Sequence, residues 1–187
     1  MQVTIGPWIE NGFYYDFDLN HPLTDADLKK IRKEMIKIIN KKYPLIREEV
    51  SREEAERRIK DINEPYKLEI LEAIKEEPIT IYKIGDDWWD LCAGPHVETT
   101  GDLNPKALQL ESVAGAYWRG DESRPMLQRI YGTAWETKEQ LDIYKAQQEE
   151  AKRRDHRRIG KDLNLFSIQV IGSLCHGLRG ARPEVEW

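Results

Sequence analysis

The fold class of this 187-residue chain is decided by its central segment, Ile79-Thr80-Ile81-Tyr82-Lys83-Ile84-Gly85-Asp86-Asp87-Trp88-Trp89-Asp90-Leu91-Cys92. From Pro78 onward the side chains follow a period of two, which is typical of half-buried β-strands. Gly85-Asp86-Asp87 interrupts this period with residues that favour a turn. The segment therefore predicts two strands, Ile79–Ile84 and Trp88–Cys92, joined by a tight turn.

Further elements are predicted on both sides of this segment. The opening residues, Ile5–Asp18, predict two short strands around the hairpin turn Asn11-Gly12. The helices have amino-terminal signals and run from Thr24 to about Tyr43, from Ser51 to about Lys60, from Asn63 onward with Pro65 in the first turn, and from Thr137 to about Lys161. The remaining predicted strands are Leu108–Val113, Ala116–Arg119 and Met126–Ala134.

This order of elements predicts an α+β fold, in which helices pack on an antiparallel sheet and a long carboxy-terminal linker helix follows. We expect a first domain over residues 1–135, the linker helix over 136–163 and an irregular tail over 164–187.

Composition excludes several classes of protein. Hydrophobic residues make up 40% and charged residues 34%, which is typical of a globular chain, and no apolar run approaches membrane-spanning length. The net charge of −5 argues against binding of nucleic acid by bulk charge. Cys92 and Cys175 form no disulfide framework. The start, Met1–Pro7, resembles neither a transit peptide nor a signal peptide, so no compartment is predicted from it.

The stretch Asp90-Leu91-Cys92-Ala93-Gly94-Pro95-His96 concentrates chemically active side chains at a Gly-Pro turn. Cys92 and His96 form a C-x3-H pair, which can supply two metal ligands or place a thiol and a base in a polar pocket. The structural alternatives are a small buried hydrophobe for Cys92 and a turn histidine bonded to the backbone for His96. The spacing by itself does not decide between them.

Seven blocks in unbroken order over residues 3 to 169 resemble the editing domain of threonyl-tRNA synthetase, a module shared in part with alanyl-tRNA synthetase. The residues in these blocks resemble the cyanobacterial and plant organellar branch of the family more than the eukaryotic cytosolic branch. The blocks are Ile5–Pro7, Glu10–Asp16, Pro65–Lys67, Asp90–Val97, Ala114–Asp121, Met126–Trp135 and Lys152–Gly160.

The resemblance implies hydrolysis of serine that is wrongly esterified to threonine tRNA. It implies that the charge of Lys67 lies near the attacking water, that Asp90 holds the polar end of the serine, and that Cys92 and His96 complete the pocket wall. Without the resemblance, Lys67 is interpreted as an exposed lysine near a helix start.

Two neighbouring tyrosines are further candidates for the same pocket. The resemblance implies that Tyr14 or Tyr15 contacts the substrate or the terminal adenosine. Because side chains alternate along a strand, only one of the two can face the pocket.

A basic run lies on the last predicted helix. By resemblance, Arg153, Arg154, Arg157 and Arg158 contact tRNA phosphates. The structural alternative is a solvated helix face, which is the more common role of such a run.

Two departures from the family shape the remaining expectations. The family carries an H-x3-H helix upstream of Ile5 and a class II catalytic domain after Gln169, and this chain includes neither. We therefore expect a product that is truncated at both ends. We expect that it does not bind ATP or ligate threonine. We expect exposed sheet surface beside Ile5 and Ile9 to favour self-association. An organellar compartment is implied by the resemblance alone.

Two alternative functions remain open. One is an inactive, tRNA-binding remnant of a threonine–tRNA ligase, and the other is a metal-dependent hydrolase of the alanyl type. Cys92 and His96 are only half of the four ligands that a structural zinc uses, so we expect neither zinc nor another cofactor.

Overall fold

The structure, a computed structural model, describes residues 1–86 and 88–163, without the side chains of Arg157, Arg158 and Lys161. The described residues belong to two compact units, Met1–Lys145 and a second that begins at Ala146. Within these residues no helix is both long and apolar enough to cross a membrane. The predicted domain boundaries at residues 135 and 163 stay predictions.

The strands of the described residues lie in the first unit. They are β1 (Gln2–Val3), β2 (Trp8–Ile9), β3 (Gly12–Asp18), β4 (Leu45–Val50), β5 (Ile79–Ile84), β6 (Trp88–Leu91), β7 (Leu108–Tyr117) and β8 (Met126–Ala134). The helices of the described residues are α1 (Asp25–Lys41), α2 (Arg52–Asp61), α3 (Pro65–Ala73), α4 (Lys138–Arg153) and α5 (His156–Asp162).

The strands form two antiparallel sheets. The larger sheet has the order β1-β3-β8-β7, with β2 also paired to β3, and the smaller sheet has the order β4-β5-β6. Mixed helices and antiparallel sheets confirm the predicted α+β class. The structure corrects the expectation of a single sheet, because β5 and β6 pair with β4 rather than with the strands that follow them in sequence.

Local sequence explains where the first three helices begin. Thr24 and Asp27 form a reciprocal capping box at α1, and the Ser51 hydroxyl accepts the backbone N–H of Glu54 at α2. Pro65 occupies the first turn of α3, where its missing N–H costs no hydrogen bond. These three predicted helix starts are confirmed.

Three strand predictions need correction. β4 was not predicted, because Leu45-Ile46-Arg47-Glu48-Glu49-Val50 lacks clear alternation and becomes a strand only through its pairing with β5. The predicted strands Leu108–Val113 and Ala116–Arg119 are one strand, β7, whose register shifts at a bulge between Leu110 and Ser112. That strand ends at Tyr117, because Trp118–Gly120 forms a 3-10 turn.

The long carboxy-terminal helix is interrupted. α4 ends at Arg153, and α5 begins at His156 after Asp155, whose backbone carbonyl accepts the N–H of Ile159 at 3.0 Å. Aspartate is a preferred residue at a helix amino terminus, which explains a new helix start here. The prediction of a single helix to about Lys161 is therefore wrong at Arg154 and Asp155, where α4 gives way to α5.

Two buried clusters hold α2 and α3 on the sheets. One contains Ala55, Ile59, Leu71 and Ile79, and joins α2 and α3 to β5. The other contains Tyr66, Trp118 and Leu127, and joins α3 to β8 and the turn after β7. α3 takes part in both clusters, so its position depends on both sheets.

Candidate active site

A half-buried carboxylate, that of Asp90 on β6, is the centre of the candidate site. Its Oδ1 atom accepts hydrogen bonds from the Lys67 ammonium and from the backbone N–H of Leu91, the latter at 2.8 Å. Its Oδ2 atom accepts the hydroxyl of Tyr15. Donors from α3, β6 and β3 therefore converge on one carboxylate.

Lys67 lies in the first turns of α3, and its side chain is only 3% exposed. The interpretation of Lys67 as an ordinary exposed lysine is therefore wrong. A lysine is rarely buried to this degree unless it is paired, and its ion-pair partner here is Asp90. No local signal in Pro65-Tyr66-Lys67 distinguishes this lysine from a solvated one, since its partner lies on β6, 23 residues further along the chain.

The two tyrosines of β3 point to opposite sides, as alternation predicts. Tyr15 bonds to Asp90, whereas the Tyr14 ring lies 3.8 Å from the Arg129 guanidinium. Burial, followed by the negative charge of Asp90, raises the pKa of the Tyr15 phenol well above its usual range. Tyr15 therefore stays a hydrogen-bond donor at neutral pH.

Close packing holds the Tyr15 ring in place. Its ring centroid lies 5.1 Å from that of Phe17, and a Cβ atom at Gly6 would overlap the ring. The Ile5-Gly6-Pro7 block thus has a steric role, because only glycine lets this backbone approach the tyrosine.

A cavity of about 590 Å³ lies beside this cluster. It is bordered by Tyr15 and Asp90 together with Cys92 and His96, and apolar side chains form most of the remaining wall. Lys67 is not among the bordering residues, so its ammonium lies behind Asp90 as seen from the cavity. A cleft of this size with a few convergent polar groups is typical of a small-molecule site.

Cys92 and His96 meet at the cavity wall. The Nε2 atom of His96 lies 3.1 Å from the Sγ atom of Cys92, and the backbone N–H of Gly94 donates to the same sulfur at 3.4 Å. His96 thus contacts a side chain rather than the backbone alone, and Cys92 is half-buried at the wall. The thiol and the imidazole can exchange a proton directly, and both are open to a ligand in the cavity.

Tyr82 is a site residue that the sequence interpretation did not include. It lies directly opposite Asp90 in the β5–β6 register, and its ring packs edge-on against His96 with centroids 4.2 Å apart. Gly94 has a φ of 77°, and a Cβ atom there would overlap the Tyr82 hydroxyl. Alternation in Ile79–Ile84 indicates that Tyr82 shares a face with Thr80, which also borders the cavity.

The basic run belongs to the second unit. Arg153 and Arg154 are largely exposed, and both bond to Glu150. The side chains of Arg157 and Arg158 lie outside the described residues. Across residues 1–86 and 88–163, no group of three or more His, Cys, Asp or Glu side chains has a geometry that could hold a metal ion.

Comparisons with known proteins show which family and which relatives this sequence is similar to. Residues 79–131 match the family model of the threonyl and alanyl tRNA synthetase second additional domain. The chain is 74% identical over 168 residues to threonine–tRNA ligase, chloroplastic/mitochondrial 2, of Arabidopsis thaliana, an alignment that covers 90% of this chain and 26% of the relative.

Cyanobacterial relatives are similar to the same degree. The threonine–tRNA ligase of Synechococcus sp. (strain WH7803) is 73% identical over 184 residues, which cover 97% of this chain and 30% of the relative. That of Thermosynechococcus vestitus is 71% identical over 165 residues, covering 88% and 27%. The chain spans between a quarter and a third of the length of these relatives.

The region that matches the family model contains β5, β6 and the Cys92–His96 pair, which contribute residues to the cavity wall. Residues 79–131 therefore match the threonyl and alanyl tRNA synthetase second additional domain, and the chain around them is similar to the threonine–tRNA ligases of cyanobacteria and of plant chloroplasts and mitochondria.

Proposed function

We propose that this domain hydrolyses the ester that links serine to threonine tRNA, and so acts as the proofreading module of a threonine–tRNA ligase. The observation that supports it best is the cavity beside Asp90, Cys92 and His96, in which one oriented carboxylate faces a thiol–imidazole pair. The similarity to threonine–tRNA ligases supports threonine tRNA as the partner.

The chemistry requires a positioned water and a place for the substrate's charges. Water attacks the ester carbonyl carbon, the bond from that carbon to the ribose oxygen breaks, and a proton from the water ends on the ribose oxygen. The products are serine and uncharged tRNA. An imidazole is the most common general base in such steps, and we assign this proton transfer to His96.

Asp90 is suited to hold the amino end of the seryl group. Its carboxylate is 15% exposed and borders the cavity, so an ammonium or hydroxyl group can approach it from that side. We assign Lys67 to holding the direction of this carboxylate from behind, rather than to contact with the attacking water. Tyr15 supports Asp90 in the same way through its hydroxyl.

Selection of serine fits the logic of a second sieve. A synthetic site that prefers threonine gains only about 1–3 kcal/mol from the additional methyl group, so seryl esters escape from it and require later hydrolysis. We propose that Arg153 and Arg154 contact phosphates of the tRNA. Such contacts position the acceptor end and do not depend on its sequence.

The test is release of serine from preformed Ser-tRNA(Thr) by the 187-residue chain. We expect hydrolysis above the uncatalysed rate, and we expect it to fall by about a hundredfold in His96→Ala, because general acid–base assistance contributes about 10²–10⁴-fold. Asp90→Asn should lose activity through weaker binding of the ammonium group. The matched control is His21→Ala, since His21 is an exposed loop histidine.

Further arms separate the alternatives. Thr-tRNA(Thr) should be hydrolysed more slowly than Ser-tRNA(Thr), and a chelator should leave the rate unchanged. Tight tRNA binding without serine release would instead favour an inactive binding module, and loss of activity with a chelator would favour the metal-dependent type. Equal activity in His96→Ala and His21→Ala would show that the pocket is wrongly assigned.

A further inference from the structure

The motif Ala116-Tyr117-Trp118-Arg119-Gly120-Asp121 has no contact with the cavity, so the proposed hydrolysis leaves its role open. It includes the last two residues of β7 and the tight turn that follows them. The Trp118 N–H donates to the Pro125 carbonyl at 3.1 Å, and Arg119 adopts a φ of 54°. A left-handed backbone is uncommon for a residue other than glycine, and it persists only when surrounding contacts hold it.

Those contacts converge on one glutamate of α3. The Glu69 carboxylate accepts the indole N–H of Trp118 at 3.0 Å, and Arg124 Nη2 lies 2.5 and 2.7 Å from its two oxygens. The backbone carbonyl of Glu69 accepts Arg119 Nη2 at 2.8 Å. Hydrogen bonds from Trp118 and Arg124 lower the pKa of Glu69, so the carboxylate stays charged.

These hydrogen bonds differ in how much they contribute to stability. The Glu69–Arg124 pair is partly exposed, and exposed ion pairs contribute little. Trp118 is buried at 3% exposure, so its indole N–H would lose its acceptor inside the protein if Glu69 were removed. Tyr66 adds a parallel support, because its ring packs edge-on against Trp118 at 5.1 Å and its hydroxyl donates to Asp18 at 2.8 Å.

Glu69 follows Lys67 by two residues on the same helix. Successive residues of an α-helix are rotated by about 100°, so these two side chains point to nearly opposite sides of α3. One side of the helix is therefore fixed to the β7–β8 turn while the other side delivers the Lys67 ammonium to Asp90.

We propose that Glu69 is a positioning residue, which holds α3 against the Trp118–Arg124 turn so that Lys67 reaches Asp90. The part that concerns catalysis rests on the proposed hydrolysis of Ser-tRNA(Thr). The structural part does not depend on it. The motif after β7 thereby acts on the site from a distance, through the placement of one helix.

The first experiment measures the reactivity of Lys67 directly. Short pulses of an amine-acetylating reagent are applied to the folded 187-residue chain, and each lysine is quantified by peptide mass spectrometry. In Glu69→Ala we expect acetylation of Lys67 to accelerate about tenfold, because losing hydrogen bonds to a charged group makes local opening of α3 more frequent. Glu69→Gln keeps an acceptor for Trp118 and should give a smaller increase.

Two controls separate positioning from general loosening. Glu72→Ala changes an exposed glutamate on the same helix and should leave Lys67 acetylation at the wild-type rate. Lys83, on β5 and paired with Glu48, reports on the rest of the fold within each sample. The proposal is overturned if Lys67 reacts no faster in Glu69→Ala than in Glu72→Ala, or if Lys67 and Lys83 accelerate by the same factor.

The second experiment uses the deacylation kinetics of the same variants. Glu69→Gln should lower kcat by about tenfold to a hundredfold with little change in KM, because a displaced group at the reacting centre costs rate. Loss that appears only in KM would contradict a positioning role. If the wild-type chain releases no serine, the proposed hydrolysis fails while the acetylation result still decides the role of Glu69.

Discussion

A carboxylate cluster lies on each side of β3, one around Asp16 and the other around Asp90 of β6. The two differ in whether the carboxylate remains accessible to a ligand. On one side, Asp16 receives two parallel bonds from Arg129, at 2.7 and 2.8 Å, and its side chain is 3% exposed. On the other side, Tyr15 reaches Asp90, which is held by single donors from separate segments and borders a cavity.

Donor geometry explains the difference. A guanidinium matches both oxygens of a carboxylate and leaves little room for another partner, and Arg129 is further covered by the Tyr14 ring. A lysine ammonium and a phenol each occupy one site on Asp90, which leaves part of the carboxylate accessible from the cavity. The Asp16 carboxylate therefore contributes to stability, whereas the Asp90 carboxylate can still bind a ligand.

The largest effect should come from breaking the closed cluster. Arg129→Met leaves the buried Asp16 carboxylate without its cation, and we expect the free energy of unfolding to fall by about 3–5 kcal/mol. Urea denaturation measures this change. Arg47→Met, at an exposed arginine that pairs with Glu49, is the control and should change stability by less than about 0.5 kcal/mol.

The activity of the Arg129→Met protein sharpens the comparison further. We expect the folded fraction to release serine with a kcat near that of the wild type, because Arg129 lies on the side of β3 away from the cavity. A large loss of kcat at a temperature where the variant remains folded would show that the two sides of β3 are coupled.

In the Asp90 cluster, loss of the cation should reduce stability less and the rate of serine release more than in the Asp16 cluster. Lys67→Met leaves Asp90 with its bonds from Tyr15 and the Leu91 N–H, so we expect a smaller stability loss of about 1–3 kcal/mol. We also expect kcat for serine release to fall by about ten- to a hundredfold, since the Asp90 carboxylate is no longer held in one orientation. Lys83→Met is the matched control, and an equal loss of kcat there would contradict the assignment.

The smallest effect concerns pH. The pKa of Tyr15 is raised in the folded protein above its ordinary value near 10, so its contribution to stability is complete below pH 10 and is lost as the pH rises above 10. We expect the stability of the wild type to fall with a steeper slope than that of Tyr15→Phe, by up to about 1.4 kcal/mol per pH unit.

Tyr66 makes the comparison of the two proteins necessary. Burial and its bond to Asp18 raise the pKa of Tyr66 to about 12, which adds to the alkaline loss in both the wild type and the variant. The difference between their denaturation curves from pH 9 to 11 therefore isolates Tyr15. Identical slopes would show that the Tyr15 phenol is not buried beside Asp90.

The sequence alone determined those parts of the fold that depend on neighbouring residues. The caps Thr24 and Ser51 set helix starts, and alternation in Ile79–Ile84 set a strand and the faces of its side chains, because these signals act within a few residues. Alternation also determined that only one of Tyr14 and Tyr15 could face the site. The C-x3-H spacing placed Cys92 and His96 close together for the same reason.

Tertiary structure decided which residues became functional candidates as a group. Lys67 is buried by pairing with Asp90, which lies 23 positions away in the sequence. Glu69 bonds to Trp118 and Arg124, which lie 49 and 55 positions away. No local sequence pattern predicts contacts over such separations. β4 likewise became a strand through pairing with β5. A charge can be buried only where a partner from elsewhere in the chain satisfies it, so the site is specified by packing rather than by the residues that flank it.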